Sequence, residues 1–384
     1  MGFTKNIINS MTKIAMLFPY APSYREAIYR KMDACMDVNW FFAGNAERYL
    51  RLLDYSVLKS CNLEMSEKKI MGPVTRYEGI NNLGLENYDV LIIAGIIKNI
   101  SEWKLLLKYG RKKKGPKVFL WTHGWYGKES KIQRIIKKFF FSLADGLLLY
   151  GNYAKEGLMK LGVDENKLFV IHNSLDYDVQ LANRKQISTS PIYREHFHND
   201  YPVLIFLGRL TRIKHLDMLL DAVSILNQRG EKANAVFVGD GEMKDSLQKQ
   251  TEILGLNDRV WFYGECFDEK RNAELLYNAD LCVAPGNVGL TAMHSLMFGC
   301  PVLTHNDFKW QMPEFESIKE GETGSFFERN NVKSMATKIS AWIKGPGTER
   351  EKIRKACYSE IDNYWTPEYQ IGVIENAINS IKQQ

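Results

Sequence analysis

LCVAPGNVGLTAMHSLMFGCPVLTH, Leu281 to His305, is the stretch whose reading decides the fold. The apolar run Leu281–Ala284 stops at Pro285 and reads as a strand. A loop with Gly286 and Gly289 follows, and a helix begins near Leu290. Gly299 and Pro301 end that helix and open the next strand, Val302–Thr304. Strand, glycine loop, helix and strand in one short segment describe one winding of a parallel α/β sheet. The free N–H groups at the helix start, together with its dipole, make an anion site. Taken alone, the stretch is equally an ordinary strand–loop–helix.

The pattern repeats outward in both directions. Strands are expected at Lys13–Phe18, Val38–Ala43, Val90–Ala94, Val118–Thr122, Gly146–Tyr150 and Leu168–Ile171, then at Val203–Leu207, Ala235–Val238 and Val260–Tyr263. Amphipathic segments separate them, so both sheets are parallel and covered by helices on two faces. The fold class is therefore α/β with two doubly wound, Rossmann-like domains. The break falls between His172 and Pro202, in a run (RKQISTSPIYREHFHND) that is polar and poor in strands. We place the domains at residues 1–176 and 177–363. A helix over 364–384, clearest from Tyr364 to Lys382, is expected to pack back on the first domain.

Composition narrows the function classes. The chain has 384 residues, 45% hydrophobic and 25% charged, which argues against disorder, collagen and coiled coil. Lys and Arg number 51 against 45 Asp and Glu; the net +6 is too small to imply nucleic acid unless it is concentrated. The six cysteines form no CxxC and no zinc-ligand spacing, and Cys282 and Cys300 sit in apolar runs, so a reducing, cytoplasmic setting is expected. No apolar stretch is long enough to cross a membrane; the longest, Phe139–Tyr150, is broken by Asp145. The start, MGFTKNIINSMTK, lacks a signal-peptide core, and Asn6 breaks the myristoylation pattern. The expectation is a soluble or peripheral protein.

Three more features accompany the opening stretch. GRLTRIK, Gly208–Lys214, follows a strand directly. Its glycine permits a tight turn, and Arg209 and Lys214 project from the carboxyl end of the strand, where open α/β sheets bind ligands. Two cations there suit a diphosphate; a solvated basic loop is the bland alternative. VFVGDGEMKDSL, Val236–Leu247, holds a truncated GxGxxG without the third glycine or the ribose-binding acid, so no dinucleotide cofactor is expected. RVWFYGE, Arg259–Glu265, ends in Gly264, whose backbone can approach a flat base.

In this order and spacing, GRLxxxK, VGDGxxxxxL, RVxFxG and the glycine-rich loop ending in GxPV resemble the family-4 glycosyltransferases of the GT-B fold. The resemblance covers roughly Val203 to Glu328. It implies two Rossmann-like domains facing a central cleft, with the nucleotide sugar on the C-terminal domain and the acceptor on the N-terminal one. By position it assigns Arg209 and Lys214 to the donor diphosphate, and Gly208, Gly264, Asn287, Val288, Gly289, Leu290 and Thr291 to the donor. The family commonly carries two glutamates separated by seven residues. Here Gly286 and His294 occupy those places, and His294 is left as the candidate for a ribose hydroxyl. Glu314, in QMPEFE, matches the family's next loop, although a helix start after Pro313 explains it as well.

The N-terminal half adds acceptor-side candidates. FLWTHGWYGKE puts His123 at the carboxyl end of a strand, where the family carries a histidine facing sugar and acceptor; a lone histidine is more often structural. Trp125, with Trp121 and Tyr126, offers a sugar-stacking face or simple core packing. FPYAPSYREAIY brings Tyr24 and Arg25 near the expected cleft, where Arg25 either meets an acidic group or makes a surface ion pair. Basic residues cluster from Lys108 to Lys138, ending in a helix with Ile132, Ile135, Ile136 and Phe139 on one face. That helix suits an anionic membrane surface, or else packs on a core.

Asp176-Tyr-Asp178 spells DxD, but it is short and lies at the domain break, so no essential metal is expected. The resemblance implies a retaining, metal-independent hexosyltransferase. It would use a nucleotide sugar, UDP-linked ahead of GDP-linked, and a glycan or lipid-linked glycan acceptor in surface polysaccharide assembly. The alternative is a degenerate relative that binds nucleotide or glycan without turnover. A nucleic-acid partner would explain the basic run and none of the other motifs.

Overall fold

The computed structural model describes residues 12–44 and 51–382 and divides the chain into two units. Unit 1 is Met1–Asp176 with Thr366–Gln384, and unit 2 is Tyr177–Trp365. Most of the polar N-terminal segment read above lies outside the described residues.

Unit 1 contains β1 (Lys13–Phe18), β2 (Asp37–Phe42), β3 (Cys61–Asn62), β4 (Ser66–Met71), β5 (Val74–Glu78), β6 (Val90–Ile93), β7 (Lys117–Thr122), β8 (Gly146–Leu149) and β9 (Leu168–Val170). Seven of these form a parallel sheet in the order β3-β2-β1-β6-β7-β8-β9, while β4 and β5 make a separate antiparallel hairpin. Side chains alternate across the sheet, as a two-residue period requires. Ile14, Met16, Trp40 and Ile92 enter one core, and Ala15, Leu17, Phe41 and Leu91 enter the other. The helix Pro367–Lys382 covers the first face, burying Ile374, Ala377, Ile378 and Ile381 there. Each isoleucine so buried contributes about 1.5–3 kcal/mol before entropy is counted.

Unit 2 contains β10 (Val203–Leu207), β11 (Asn234–Val238), β12 (Val260–Gly264), β13 (Leu281–Ala284), β14 (Val302–His305) and β15 (Gly324–Phe327). They form one parallel sheet in the order β12-β11-β10-β13-β14-β15. The helix Arg350–Tyr364 closes this unit, and the chain passes to unit 1 at Thr366. The C-terminal helix accordingly begins at Pro367 rather than Tyr364.

The run expected to be a polar connector is structured. Helices Tyr177–Gln186 and Ile192–Phe197 belong to unit 2, and buried Tyr193 donates its hydroxyl to Leu275 O at 2.6 Å. No helix among the described residues is long and apolar enough to cross a membrane.

Both sheets change winding direction beside their first strand. In unit 2 the neighbours β10 and β13 are hydrogen-bonded although two strands separate them in sequence, and in unit 1 β1 and β6 are neighbours although four strands lie between them in sequence. Ligands of open parallel sheets bind outside the carboxyl ends of the strands at such switch points. The loops to inspect therefore follow β10 and β13 in one unit, and β1, β6 and β7 in the other.

Candidate functional site

In unit 2 the loops after β10, β11 and β12 meet backbone to backbone. Gly208 N donates to Val238 O at 2.9 Å, Gly239 N to Gly264 O at 2.8 Å, and Leu210 N to Asp240 O at 2.8 Å. A Cβ on Gly239 would fall 2.0 Å from Gly208 O, so only glycine allows this approach. Nothing lies within 4 Å of the position a Cβ on Gly264 would occupy, which leaves room for a flat group over its backbone.

This platform aims Gly208–Lys214 at the loop after β13. Lys214 Nζ donates to Asn287 O at 2.7 Å and Asn287 Oδ1 at 2.8 Å. Burial lowers the Lys214 ammonium to about 8, with the Glu314 carboxylate opposing that shift and the Arg209 guanidinium adding to it. Arg209 itself is exposed. Gly289 precedes the helix Leu290–Met297; in its first turn Ala292 N donates to Gly289 O at 3.1 Å, which leaves the N–H groups of Leu290 and Thr291 as the open ones. Thr291 Oγ1 ties this turn to β10 by donating to Leu207 O at 2.9 Å. Two cations and an open helix start thus gather at the sheet's switch point, a composition suited to a diphosphate.

Two details were not legible in the sequence. Val288, expected to face the donor, is fully buried, and its N–H is taken by Gln311 Oε1 at 2.9 Å. Gln311 Nε2 also donates to Thr304 Oγ1 at 2.8 Å and His305 O at 3.1 Å, so this one side chain pins the loop after β13 to β14. Gly286, for its part, has no room for any side chain. Its Cβ would lie 2.1 Å from Ile213 O, and its N–H donates to Lys214 O at 2.9 Å.

His294 lies on the helix Leu290–Met297, with Nδ1 3.0 Å from Gln180 Nε2. Burial lowers its pKa, against a smaller opposing effect of the Glu269 carboxylate. Glu269 Oε2 is buried and has no hydrogen-bond partner among the described residues. Glu269 comes from a different helix, so no sequence spacing links it to His294. Glu314 is buried in the short turn Pro313–Ser317, close enough to Lys214 to act on its charge.

In unit 1 a cavity of about 560 Å³ opens at the carboxyl ends of β1, β6 and β7. Tyr24, Arg25, His123, Tyr126, Lys137 and Tyr150 line it. The Arg25 guanidinium donates to the Tyr150 hydroxyl and lies 5.7 Å from the Tyr24 ring centre and 5.2 Å from that of Tyr150. The His123 ring sits between those of Tyr150 and Tyr126, with centroids at 4.7 and 5.7 Å. Burial, and then the charges of Arg25 and Lys137, lower His123 to about 4. It is therefore neutral near pH 7, and its buried Nδ1 has no hydrogen-bond partner among the described residues.

Trp125, read as an acceptor-side residue, lies outside this cavity. It packs against Gly157, where a Cβ would fall 2.0 Å from the indole. Tyr126 and Trp121 line the cavity in its place. The cause is a clamp: Glu129 accepts from Tyr126 N at 2.9 Å, Gly127 N at 2.8 Å and Lys137 Nζ at 2.6 Å, and Lys137 also donates to Gly124 O at 2.6 Å. Fully buried Glu102 shapes the opposite rim by accepting from Ile96 N at 2.6 Å; burial raises its carboxyl to about 8.

Comparison with known proteins now bears on the site. Residues 191–360 match the family described as Glycosyl transferases group 1. The matched segment lies within the second unit and covers less than half of the chain. The group 1 segment is 32% identical over 114 residues to a GDP-mannose-dependent alpha-(1-6)-phosphatidylinositol dimannoside mannosyltransferase of Mycobacterium tuberculosis, 29% of each chain. It is 24% identical over 182 residues to the poly(glycerol-phosphate) alpha-glucosyltransferase of Bacillus subtilis, 47% of this chain and 25% of that one. The chain thus matches well under half the length of these curated relatives. Among solved structures, Anabaena HepE in complex with UDP is similar with a TM-score of 0.68 at 14% identity, covering 95% of this chain and 99% of that one. The lipopolysaccharide outer core galactosyltransferase WaaB in its apo form is similar with a TM-score of 0.71 at 16% identity, covering 96% and 99%. At these identities the likeness shows the fold, which is GT-B. Among the described residues, no cluster of three or more His, Cys, Asp or Glu could hold a metal ion.

Proposed function

We propose that this chain moves a sugar from a nucleotide diphosphate donor to a hydroxyl of a glycan or lipid-linked glycan, with retention at the anomeric carbon. The observation that carries the reading is the convergence of Arg209, Lys214 and the open helix start at Leu290 on the switch point of the unit 2 sheet. These groups are preorganised to take up the charge that develops on a departing diphosphate, without a metal. No carboxylate stands in the loop after β13 to act as a nucleophile, so displacement from the leaving-group face is the route consistent with retention. In unit 1 the neutral His123 suits orientation of an acceptor hydroxyl, because its ring lines the cavity without carrying a charge. Tyr24 and Arg25 would hold the acceptor's polar groups.

HepE, solved with UDP, favours a UDP-sugar, while the GDP-mannose-dependent mannosyltransferase makes GDP the rival. A thermal-shift panel of UDP, GDP and their sugar conjugates, run in chelator, tests the reading, because a ligand of the native state raises Tm. One nucleoside diphosphate should produce a clear shift. Arg209→Ala and Lys214→Ala should each lower turnover by about a hundredfold with the fold intact. Full activity in both variants would sink the assignment.

A second reading, binding without turnover, is favoured by one observation. The backbone of Ile213 and Lys214 fills the space that a carboxylate side chain at position 286 would need. A nucleotide shift with no transfer to any acceptor would select it.

A further inference from the structure

The helix Lys131–Ser142 presents three faces at about 100° per residue. Phe140 and Phe141 are buried, and Lys137 on the same side reaches Gly124 O and Glu129. Ile132, Ile135, Ile136 and Phe139, spaced i, i+3, i+4 and i+7, form a second face and are 71%, 70%, 41% and 55% exposed. Lys131, Arg134 and Lys138 form the third. The apolar face continues onto the helix Ile100–Tyr109, because Phe139 stacks on Trp103 at 6.0 Å and Leu107, one turn further along, is 56% exposed. The exposed lysines Lys112, Lys113 and Lys114 follow that helix. Their ammonium groups and those of Lys131 and Lys138 make no ion pair among the described residues.

We infer that this face of unit 1 seats on an anionic phospholipid surface. Four large side chains without hydrogen-bonding groups, exposed on a single short helix, are too many for an ordinary solvated surface. The rim of unpaired cations selects the occupant: lysines can lie along the patch and reach up to phosphate oxygens, and their attraction to an anionic leaflet adds to the apolar insertion. The helix is too short and too charged to span a bilayer, so it lies in the interfacial plane. One helix therefore carries a lipid-seeking face and, through Lys137, a wall of the cavity that holds His123. Given the transfer reading above, the acceptor at that cavity is a lipid-linked one delivered from the bilayer.

Vesicle flotation of the full chain, without donor, tests this. Binding should be at least about tenfold stronger to phosphatidylcholine vesicles carrying about one-third phosphatidylglycerol than to phosphatidylcholine alone, and should weaken in high salt. The variant I132S/I135S/F139S should bind anionic vesicles at least about tenfold more weakly while keeping its Tm and nucleotide shift. No binding of the unaltered chain to anionic vesicles would overturn the inference, as would undiminished binding of the variant. A dimer that the same substitutions dissociate in sedimentation velocity would assign the face to a second copy and equally overturn it. Because the nucleotide shift is read separately, failure here is distinguishable from failure of the transfer reading.

Discussion

At the scale of single residues, Lys214 sets a pH dependence whose sign follows from its surroundings. Burial lowers its ammonium to about 8. A bound diphosphate favours the charged form and raises that value. Above pH 8 the free site must take up a proton to bind, so nucleotide affinity falls with rising pH, by up to about tenfold per unit until the pKa of the complex is reached. Below pH 8 the ammonium is already charged, and this group adds no dependence. Calorimetric titration between pH 7 and 9.5, about the span of one such ionisation, checks it; a flat profile would count against Lys214 as the phosphate ligand. His123 behaves differently. Lowered to about 4, it stays neutral through the physiological range, so turnover should show no acid-side loss between about pH 6 and 7 from this ring. A loss in that window that disappears in His123→Asn would contradict the geometry.

At the scale of elements, the loop after β13 is fixed by packing. Gly286→Ala pushes a Cβ to 2.1 Å from Ile213 O and breaks the fit of two backbones, so we expect a loss of about 1–3 kcal/mol in urea unfolding together with weaker nucleotide binding. Gln311→Ala releases Val288 N, Thr304 Oγ1 and His305 O and should cost about 1–3 kcal/mol as buried groups lose a partner.

Much of this architecture was legible in the residues, and the exceptions have physical causes. Strands such as Leu281–Ala284 are buried on both faces, so they appear as plain apolar runs bounded by turns. The hairpin β4–β5, SEKKIM and VTRYE, is mostly exposed and polar, and it carries no such mark. β15, GSFF, is too short to show a period; it is held by pairing with β14. The site motifs were readable because glycine is required wherever two backbones touch, as where Gly239 meets Gly208 O. Their partners were not, since Gln180 meets His294 and Gln311 meets Val288 only through tertiary contact. Trp125 and Tyr126 are adjacent aromatics of similar promise, and the Glu129 clamp and the small Gly157 decide which one faces the cavity.

At the scale of the whole molecule, unit 1 is built from two distant stretches of sequence, whereas unit 2 is continuous. The helix Pro367–Lys382 is a structural part of the first sheet's core, with Ile374 and Ile378 fully buried. Ile378→Ala should therefore destabilise unit 1 by about 2–5 kcal/mol. Hydrogen exchange would report that loss at β1 and β2, with the amides of β10 to β14 unchanged.

The same connectivity sets an order of events on the ribosome. Residues 177–365 emerge before 366–382, so the unit encoded second has all its strands while the unit encoded first still lacks the cover of one sheet face. Translation at roughly 5–20 residues per second leaves that face bare for about a second or more after unit 2 is complete. Nascent chains arrested at residue 365 should accordingly be cut by protease within residues 12–176 and resist it within 203–327. The first half of the message thus makes the part that finishes folding last, and it is the part that needs a chaperone's shelter.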